Sequence, residues 1–391
     1  MAIVILIVAI ALFVSLIIIH EAGHFLIARR NGVNAEEFAI FFGPTIYKKT
    51  TKKGTLFKIN SIPLGGYVKL KGEHDSDVEP GSYGAANLWI KTKIMLAGVF
   101  SNLIAGLVLL IILALVGLPK IIPNQFSISS DAHIVKRQTS IVEVSQVITG
   151  TPAAKAGLKS GDDIIAIGPK NNLKKINSPQ VLQSVTKQFA GQKVIVELKR
   201  NNKNLEKIVT LNSSAQANAA KQKVYLGVSI GSYFSGVTLI RYTWSAPIVA
   251  LGLTKQIVVL SYQGLSQAIK GLGGIVAGAV TNNSSAREHA QTTASSQVVG
   301  PVGIFVILKD GSAVGIRFML FIIALISLTL AIMNVLPIPA LDGGRLWLTL
   351  ISRAIKKPMS ANAEELINAI GMLVLIFLVS LITYVDIKRF F

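Results

Sequence analysis

His20, Glu21 and His24 form the pattern His-Glu-x-x-His near the end of a long apolar segment. Residues four apart on a helix share one face, so both imidazoles can bind one metal ion. Glu21 directly follows His20 and can reach a water molecule on that metal, which is the arrangement of zinc hydrolases. The pattern predicts a Zn²⁺ site with His20 and His24 as ligands and Glu21 as the general base of a hydrolytic reaction.

The alternative is that both histidines extend from a helix end toward the membrane interface without binding metal. We favour the metal site, because two histidines and a glutamate buried in lipid without a function would be costly. At about 1.5 Å per residue, His20 lies roughly 25 Å beyond Ile3, near the cytoplasmic side of a hydrocarbon core about 30 Å thick.

Two histidines leave this site one ligand short, because a catalytic zinc ion has three protein ligands and one open position. The other histidines are poorer candidates. His133 and His289 are expected on the opposite side of the membrane, and His74, in the cytoplasmic loop, is a distant candidate. Asp342 is the better candidate, since it follows the third apolar segment at the same level as His24. The alternatives for Asp342 are capping of the next helix and an ion pair with Arg345.

The sequence around Asp342, "NVLPIPALDGGR", interrupts a helical pattern. Pro337 and Pro339 end the preceding helix, and Gly343 and Gly344 give the backbone freedom. We therefore expect Asp342 in a segment without regular structure, from which its carboxylate can reach the two histidines.

The composition is that of a membrane protein. Hydrophobic residues make up 51% of the chain and charged residues only 15%, against about 25% charged residues in soluble domains. The absence of cysteine excludes disulfides and thiolate metal sites. The net charge of +20 predicts attraction to membrane lipids with anionic headgroups. Nucleic acid is not expected as a partner, because the basic residues are dispersed and not interleaved with aromatic residues.

Four segments reach the length of about 20 apolar residues that a membrane-spanning helix needs, namely 3–28, 94–117, 316–337 and 366–386. Basic residues place the connections 29–93 and 338–365 on the cytoplasmic side, and both termini therefore outside. A fifth candidate, 245–280, is interrupted by lysines and glutamines and is interpreted as an amphipathic helix on the outer interface. A fifth span would also separate the two parts of the predicted site onto opposite membrane faces.

A soluble domain is predicted between the second and third spans. Residues 125–215 alternate apolar and polar side chains between turn signals, which is typical of a small β-rich domain. Two polar stretches, 212–222 and 281–297, are interpreted as linkers.

The ordered set of motifs resembles the site-2 protease family of intramembrane zinc metalloproteases, of the bacterial regulator-of-sigma type. HEAGH lies in the first span and NVLPIPALDGG ends the third. Between them are AIFFGPTIYKK, INSIPLGGYVKLKGE, MLAGVFSNLIAG and VVGPVGI, with Val99 where the family often has proline. The 125–215 segment resembles a PDZ domain, and the chain has room for one.

This resemblance implies that His20, His24 and Asp342 bind zinc and that Glu21 is the general base. It also implies that substrate is bound by polar residues of the spans and by a membrane-associated β-hairpin, through Asn334, Asn102, Gly65, Gly66 and Tyr67. The alternative for the two asparagines is hydrogen bonding between helices without a catalytic role. The alternative for the hairpin is an ordinary cytoplasmic turn.

The expected fold is a polytopic α-helical membrane protein with four transmembrane helices, a membrane-associated β-hairpin and an inserted β-rich PDZ-like domain. The expected regions are two spans with the hairpin, the PDZ-like domain, an amphipathic connector, and two further spans, with the boundaries 1–118, 119–225, 226–315 and 316–391. In the bacterial cytoplasmic membrane, the PDZ-like domain would lie outside and the active site toward the cytoplasm.

The resemblance implies hydrolysis of peptide bonds within the transmembrane segments of single-pass proteins that another protease has already cleaved. Anti-sigma factors and remnant signal peptides are the implied substrates. One alternative is a catalytically silent membrane receptor that binds peptides, but such a protein has no need of Glu21. Another is a transporter with an ion site in its broken third helix, but the chain has no inverted repeat.

Overall fold

The computed structural model describes residues 2–73, 77–136, 142–201, 203–219, 224–231, 237–280, 300–356 and 359–390. His74, His289, the predicted linker 281–297 and part of the linker 212–222 lie outside these residues. The chain divides into two compact units. The first comprises Met1–Leu118, Ile122–His133 and Arg241–Phe391, and the second comprises Pro119–Ile121 and Ile134–Ile240.

The helices, in chain order, are α1 (Ala2–Arg30), α2 (Leu88–Val116), α3 (Pro152–Lys155), α4 (Pro179–Gln188), α5 (Ser214–Ala219), α6 (Ala246–Val280), α7 (Pro301–Val314), α8 (Ile316–Val335), α9 (Asp342–Ala354) and α10 (Ala361–Phe390). The strands are β1 (Ala35–Thr50), β2 (Leu56–Leu70), β3 (Leu118–Pro119), β4 (His133–Lys136), β5 (Val142–Val147), β6 (Asp163–Gly168), β7 (Lys174–Lys175), β8 (Lys193–Arg200), β9 (Lys203–Thr210), β10 (Val228–Gly231) and β11 (Leu239–Arg241).

Among the described residues, five helices are long and apolar enough to cross a membrane: α1, α2, α6, α8 and α10. The chain is thus a multi-pass membrane protein with β-sheets. Helix α6 has the lowest mean hydropathy of the five, 1.3 against 3.2 for α1, and it packs against α2 and α8. The count of four spans and the interfacial position of α6 remain predictions. The predicted connector 226–315 also contains a helix that the sequence did not indicate, α7.

Helix α2 begins at Leu88, six residues before the predicted start of the second span. The side chain of Asn87 caps it by accepting a hydrogen bond from the Ile90 amide at 2.9 Å. Two lysines within this first part interrupt the apolar pattern, yet each lies over an aromatic ring. Lys91 is fully buried, 5.3 Å from the centre of the Tyr83 ring, and Lys93 lies 5.1 Å from that of Trp89.

Small residues allow α2 to pack closely against α1 on one side and α8 on another. A Cβ atom at Gly23 of α1 would lie 2.7 Å from the carbonyl oxygen of Ala97, and one at Gly106 of α2 would lie 2.8 Å from the side chain of Leu328. Such approaches are typical of helix pairs in membranes, where small residues let two backbones come together. They place α2 beside α1, which carries the two histidines, and beside α8, which leads into the segment that carries Asp342.

Strands β1 and β2 form a sheet that begins five residues after α1 ends. Both strands bend near the middle, where Phe41 and Gly65 have positive φ angles of 71° and 69°. Ala39 therefore pairs with Tyr67 on one side and with Lys58 on the other. The pairing sets four segments side by side in the order 45–50, 56–60, 35–40 and 66–70. The last segment has no further strand beside it among the described residues.

The second unit has a sheet with the strand order β10-β5-β6-β8-β9, to which β7 adds by pairing with β6. One face covers a core of Val, Ile and Leu side chains that also includes Phe189 at the end of α4. Asp162 is fully buried before β6 and is held by Arg200 at the end of β8. The sheet includes β10, which lies beyond the predicted boundary at residue 225. The compact unit as a whole extends to Ile240.

Candidate metal centre

Three side chains converge on one point in the first unit. Asp342 Oδ2 lies 3.0 Å from His20 Nε2 and 3.1 Å from His24 Nε2, and the two Nε2 atoms are 3.2 Å apart. Ligand atoms around a tetrahedral zinc ion, with bonds of about 2.0–2.1 Å, are separated by roughly 3.3 Å. The residues therefore fit the three protein ligands of a catalytic zinc site.

Helix α1 presents both imidazoles on one face, as their spacing predicts. The rings meet edge to face, with centroids 4.8 Å apart. His24 Nδ1 donates to the backbone carbonyl oxygen of Ile94 in α2, at a distance of 2.7 Å. A carbonyl oxygen only accepts hydrogen bonds, so this contact places the proton of neutral His24 on Nδ1 and leaves Nε2 free to bind metal.

Helix α2 forms the wall behind the two histidines. A Cβ atom at Gly98 would lie 2.4 Å from His24 Nε2 and 2.6 Å from His20 Cε1. Only glycine leaves room for both rings at this position. The helix continues without a break through Val99, where the family often has proline.

Asp342 reaches the histidines from the first turn of α9. Helix α8 ends at Val335, and the connection 336–341 carries the two prolines and a positive φ of 73° at Ala340. Gly343 and Gly344 let the start of α9 pack closely against that connection, since Cβ atoms at these residues would lie 2.4 Å and 2.1 Å from its carbonyl oxygens. The prediction that Asp342 itself has no regular structure is wrong, because only the preceding connection is irregular and the glycines are helical.

Neither alternative for Asp342 has support in the geometry of its neighbours. Helix α9 has no side-chain cap, since its cap position is Leu341. Arg345 turns away from Asp342, donating to the carboxylate of Glu73 at 3.1 Å and approaching that of Glu364 at 3.6 Å. The Asp342 carboxylate thus remains directed at the histidines.

A cavity of about 360 Å³ opens beside the three converging side chains. All nine residues predicted for the site line it, namely His20, Glu21, His24, Gly65, Gly66, Tyr67, Asn102, Asn334 and Asp342. Phe42 and Arg345 line it as well and were not predicted. Phe42 lies within the AIFFGPTIYKK segment and Arg345 ends the NVLPIPALDGGR segment, so adjacency to these motifs was the available signal.

The free edge of the β1–β2 sheet borders the same cavity. A Cβ atom at Gly66 would lie 3.1 Å from Glu21 Cγ, so glycine brings the strand backbone close to the predicted general base. Tyr67 stacks on Phe42 with ring centroids 6.0 Å apart, and its hydroxyl donates to Glu37 at 3.1 Å. The strand edge and the metal ligands thus share one space.

Comparison with known proteins agrees with this geometry. The sequence profile of peptidase family M50 matches residues 8–378. A protein of Campylobacter jejuni that is named as a candidate zinc metalloprotease is 30% identical over 96% of this chain and 90% of its own. The zinc metalloprotease RasP of Geobacillus kaustophilus is 26% identical over 98% of this chain and 97% of its own. The chain therefore belongs to peptidase family M50, the site-2 protease family, and is a zinc metalloprotease.

Proposed function

We propose that this metalloprotease hydrolyses peptide bonds inside the transmembrane segments of membrane proteins that another protease has already cleaved. The observation that carries the proposal is one cavity shared by three converging metal ligands and an unpaired strand edge. The cavity is built from helices that are apolar enough to lie in a membrane. A protease whose active site lies among membrane helices acts on substrates that reach it through the lipid.

His20, His24 and Asp342 would hold a zinc ion, which would polarise the scissile carbonyl and lower the pKa of a water molecule. Glu21 accepts the proton of that water on its carboxylate and passes it to the leaving nitrogen. Asn334, in the last turn of α8 beside the cavity, donates its amide to the oxygen that gains negative charge. All five of these side chains line the same cavity.

Asn102 acts on His20. Its side-chain nitrogen lies 3.3 Å from His20 Nδ1, on the side of the ring away from the metal-binding Nε2. A metal-binding histidine is oriented by the group that contacts its other nitrogen. This position favours support of the ligand over the contact with substrate that the sequence predicts for Asn102.

The sheet edge receives the substrate. All amides of a membrane-spanning helix are protected by its own hydrogen bonds, so cleavage requires a short stretch to unwind. The exposed backbone groups then need partners, and addition to a free strand edge supplies them. Residues 66–70 offer that edge, where Gly65 and Gly66 permit close approach and Tyr67 forms a wall of the cavity.

The second unit is proposed to be the PDZ-like domain. A groove of about 350 Å³ runs between α4 and the edge strand β10, and its lining is rich in aliphatic side chains. A strand edge beside a helix is the arrangement with which PDZ domains bind chain ends. The groove thus suits the carboxyl end of a cleaved substrate, whereas exclusion of bulky proteins would require no such groove.

The natural setting is also part of the proposal. We place the chain in the bacterial cytoplasmic membrane, with the second unit outside and the metal site toward the cytoplasm. Anti-sigma factors and signal-peptide remnants are the proposed substrates, because each is left as a short membrane anchor after a first cleavage.

Cleavage of a single-pass membrane peptide tests the proposal. Wild-type protein purified in detergent with zinc should cut the peptide within its apolar stretch. Glu21→Gln should bind zinc and not cut, because it retains all three ligands and lacks the proton acceptor. Glu206→Gln, an exposed change in the second unit, is the matched control and should cut as the wild type does. Zinc binding without cleavage by any of the three would favour the silent peptide receptor.

A further inference from the structure

The outer segment of the β1–β2 sheet carries four lysines that the protease reaction does not use. We propose that Lys48, Lys49, Lys52 and Lys53 bind the headgroups of anionic phospholipids. The proposal concerns the contact between the sheet and the surrounding membrane, and it holds whether or not the sheet edge binds substrate.

The charge of this region is one-sided. Residues 38–72 contain seven lysines and no acidic residue. Three of these lysines pair with glutamates next to them in the fold: Lys58 with Glu37 at 2.8 Å, Lys69 with Glu36 at 3.2 Å, and Lys71 with Glu79 at 2.9 Å.

The remaining four lysines are all exposed and are gathered within six residues. They form no ion pair within the part of the chain that the structure describes. The fold therefore neutralises the lysines near the site and leaves a separate cluster of positive charge facing outward.

The pairing of the strands fixes the level of this cluster along α1. The turn that follows the outer segment is tied to the chain just beyond α1, because Thr55 Oγ1 donates to the Ala35 carbonyl at 2.9 Å. At the other end, Ile40 pairs with both Gly66 and Ile59. Ile59 in turn pairs with Tyr47, while Gly66 lies against Glu21. The outer segment thus extends from the level of the metal site to the end of the first apolar helix.

Along the outer segment, from the level of the metal site toward the end of α1, the exposed side chains change from apolar to basic. Ile46 is 71% exposed and Tyr47 is 54% exposed, and both are at the deeper end. The four lysines follow toward the end of α1, where Arg29 and Arg30 also lie. Apolar residues followed by cations match the passage from acyl chains to headgroups at a membrane surface.

This arrangement favours lipid over other acidic partners. The apolar helices hold the sheet at the membrane, so headgroups are present at a high local concentration beside these lysines. Each lysine near an anionic surface favours it by about fivefold, and the effect decreases with salt. A free acidic peptide would not account for the exposed Ile46 and Tyr47 next to the lysines.

A lipid-quenching measurement tests the proposal directly. The chain has no cysteine, so Thr50→Cys gives a single position for an environment-sensitive dye beside the lysines. The full-length protein is placed in nanodiscs that contain equal amounts of phosphatidylglycerol and phosphatidylcholine, with bromine on one lipid or on the other. We expect at least twofold stronger quenching when the anionic lipid carries the bromine, and a smaller ratio in 0.5 M salt.

Two variants of equal charge separate this cluster from overall charge. Replacing all four lysines by glutamine should bring the quenching ratio to one. The matched control replaces Lys155, Lys159, Lys170 and Lys174, which are exposed lysines of the second unit, and should leave the ratio unchanged. Equal quenching by both lipids in the protein with native lysines would overturn the proposal. It would also be overturned if the four-glutamine variant lost peptide cleavage in purely zwitterionic nanodiscs, since the lysines would then act on the substrate.

Discussion

The side-chain amide of Asn102 lies against the imidazole of His20, with its nitrogen atom 3.3 Å from Nδ1. Asn102 is only 1% exposed, and its Oδ1 atom has no hydrogen-bond partner among the residues that the structure describes. A half-turn of the amide exchanges its oxygen and nitrogen atoms. Oδ1 would then accept the proton of Nδ1 and fix the tautomer in which Nε2 is free to bind zinc.

Replacement of Asn102 should therefore weaken zinc binding. We expect Asn102→Ala to lower the zinc affinity by about 10–100-fold, the usual effect of losing a group that orients a ligand. Asn102→Asp should retain most of the affinity, because a carboxylate also accepts the Nδ1 proton. Competition with a chelating dye on the purified chain measures both values.

Ser327→Ala is the matched control for Asn102. Its hydroxyl donates to the backbone carbonyl of Asn102 at 2.7 Å and is in the same helix contact, but it does not touch the imidazole. Zinc affinity should stay at the wild-type value in this variant. Unchanged zinc affinity in Asn102→Ala, together with lost cleavage, would instead assign Asn102 to the substrate.

Gly98→Ala should abolish stoichiometric zinc binding. The added methyl group would lie 2.4 Å from His24 Nε2, and the neighbouring backbone of α2 cannot withdraw. Elemental analysis of the purified variant should show close to no zinc. Gly106→Ala, two turns further along α2, meets the flexible side chain of Leu328 and should lower the unfolding temperature while keeping the metal. A fully loaded Gly98→Ala protein would contradict the position of α2 behind the ligands.

Local patterns identified the parts of the metal centre that a short segment can encode. The four-residue spacing of His20 and His24 is a property of one helix, and the two prolines mark the end of α8 before Asp342. The contacts that support these residues join distant parts of the chain. The Ile94 carbonyl and Gly98 acquire their roles only when α2 packs against α1, so no spacing in the sequence reveals them.

The distinction between local patterns and contacts of distant residues also explains where the fold differs from the one predicted from the sequence. The four most apolar segments and the helix at 245–280 stand out in the sequence, whereas α7 is short and was not indicated. The start of α2 was missed because two lysines interrupt its apolar pattern, and the burial of Lys91 against Tyr83 arises only in the fold. The double pairing of β1 with β2 depends on bends at Phe41 and Gly65. An alternation pattern gives strands, but it does not show that each strand contributes twice.

Acid should destabilise the second unit through Asp162. Burial raises the pKa of this carboxyl, but hydrogen bonds from Arg200 and from the Lys159 amide outweigh burial and hold the pKa below its usual range. A carboxyl with a lowered pKa stabilises the fold above its unfolded pKa of about 3.9, and this stabilisation is lost as the pH falls through the folded value. The protection of residues 142–201 against hydrogen exchange in the full chain, expressed relative to the intrinsic exchange rate at each pH, should therefore fall below about pH 4.

Asp162→Asn separates this effect from general acid unfolding. The variant should exchange faster than wild type at pH 7, and the difference between the two should shrink as the pH falls toward 3. Glu206→Gln, at an exposed position of β9, should follow the wild-type profile. A constant difference between Asp162→Asn and wild type across this range would show that the carboxylate charge contributes nothing.

Gly66→Val should impair cleavage without loss of zinc. A side chain at this position would press on Glu21 Cγ, 3.1 Å from the new Cβ, and on the Ala39 carbonyl oxygen at the same distance. Valine suits a β-strand, so the sheet should persist while the space between the strand edge and the general base is filled. We expect kcat/KM for a membrane peptide to fall at least tenfold, about 1.4 kcal/mol in the transition state, with zinc affinity unchanged. Ser61→Val adds the same side chain at an exposed position of β2 and should cleave normally. If Gly66→Val cleaved as well as Ser61→Val, the substrate would have to bind away from this strand edge.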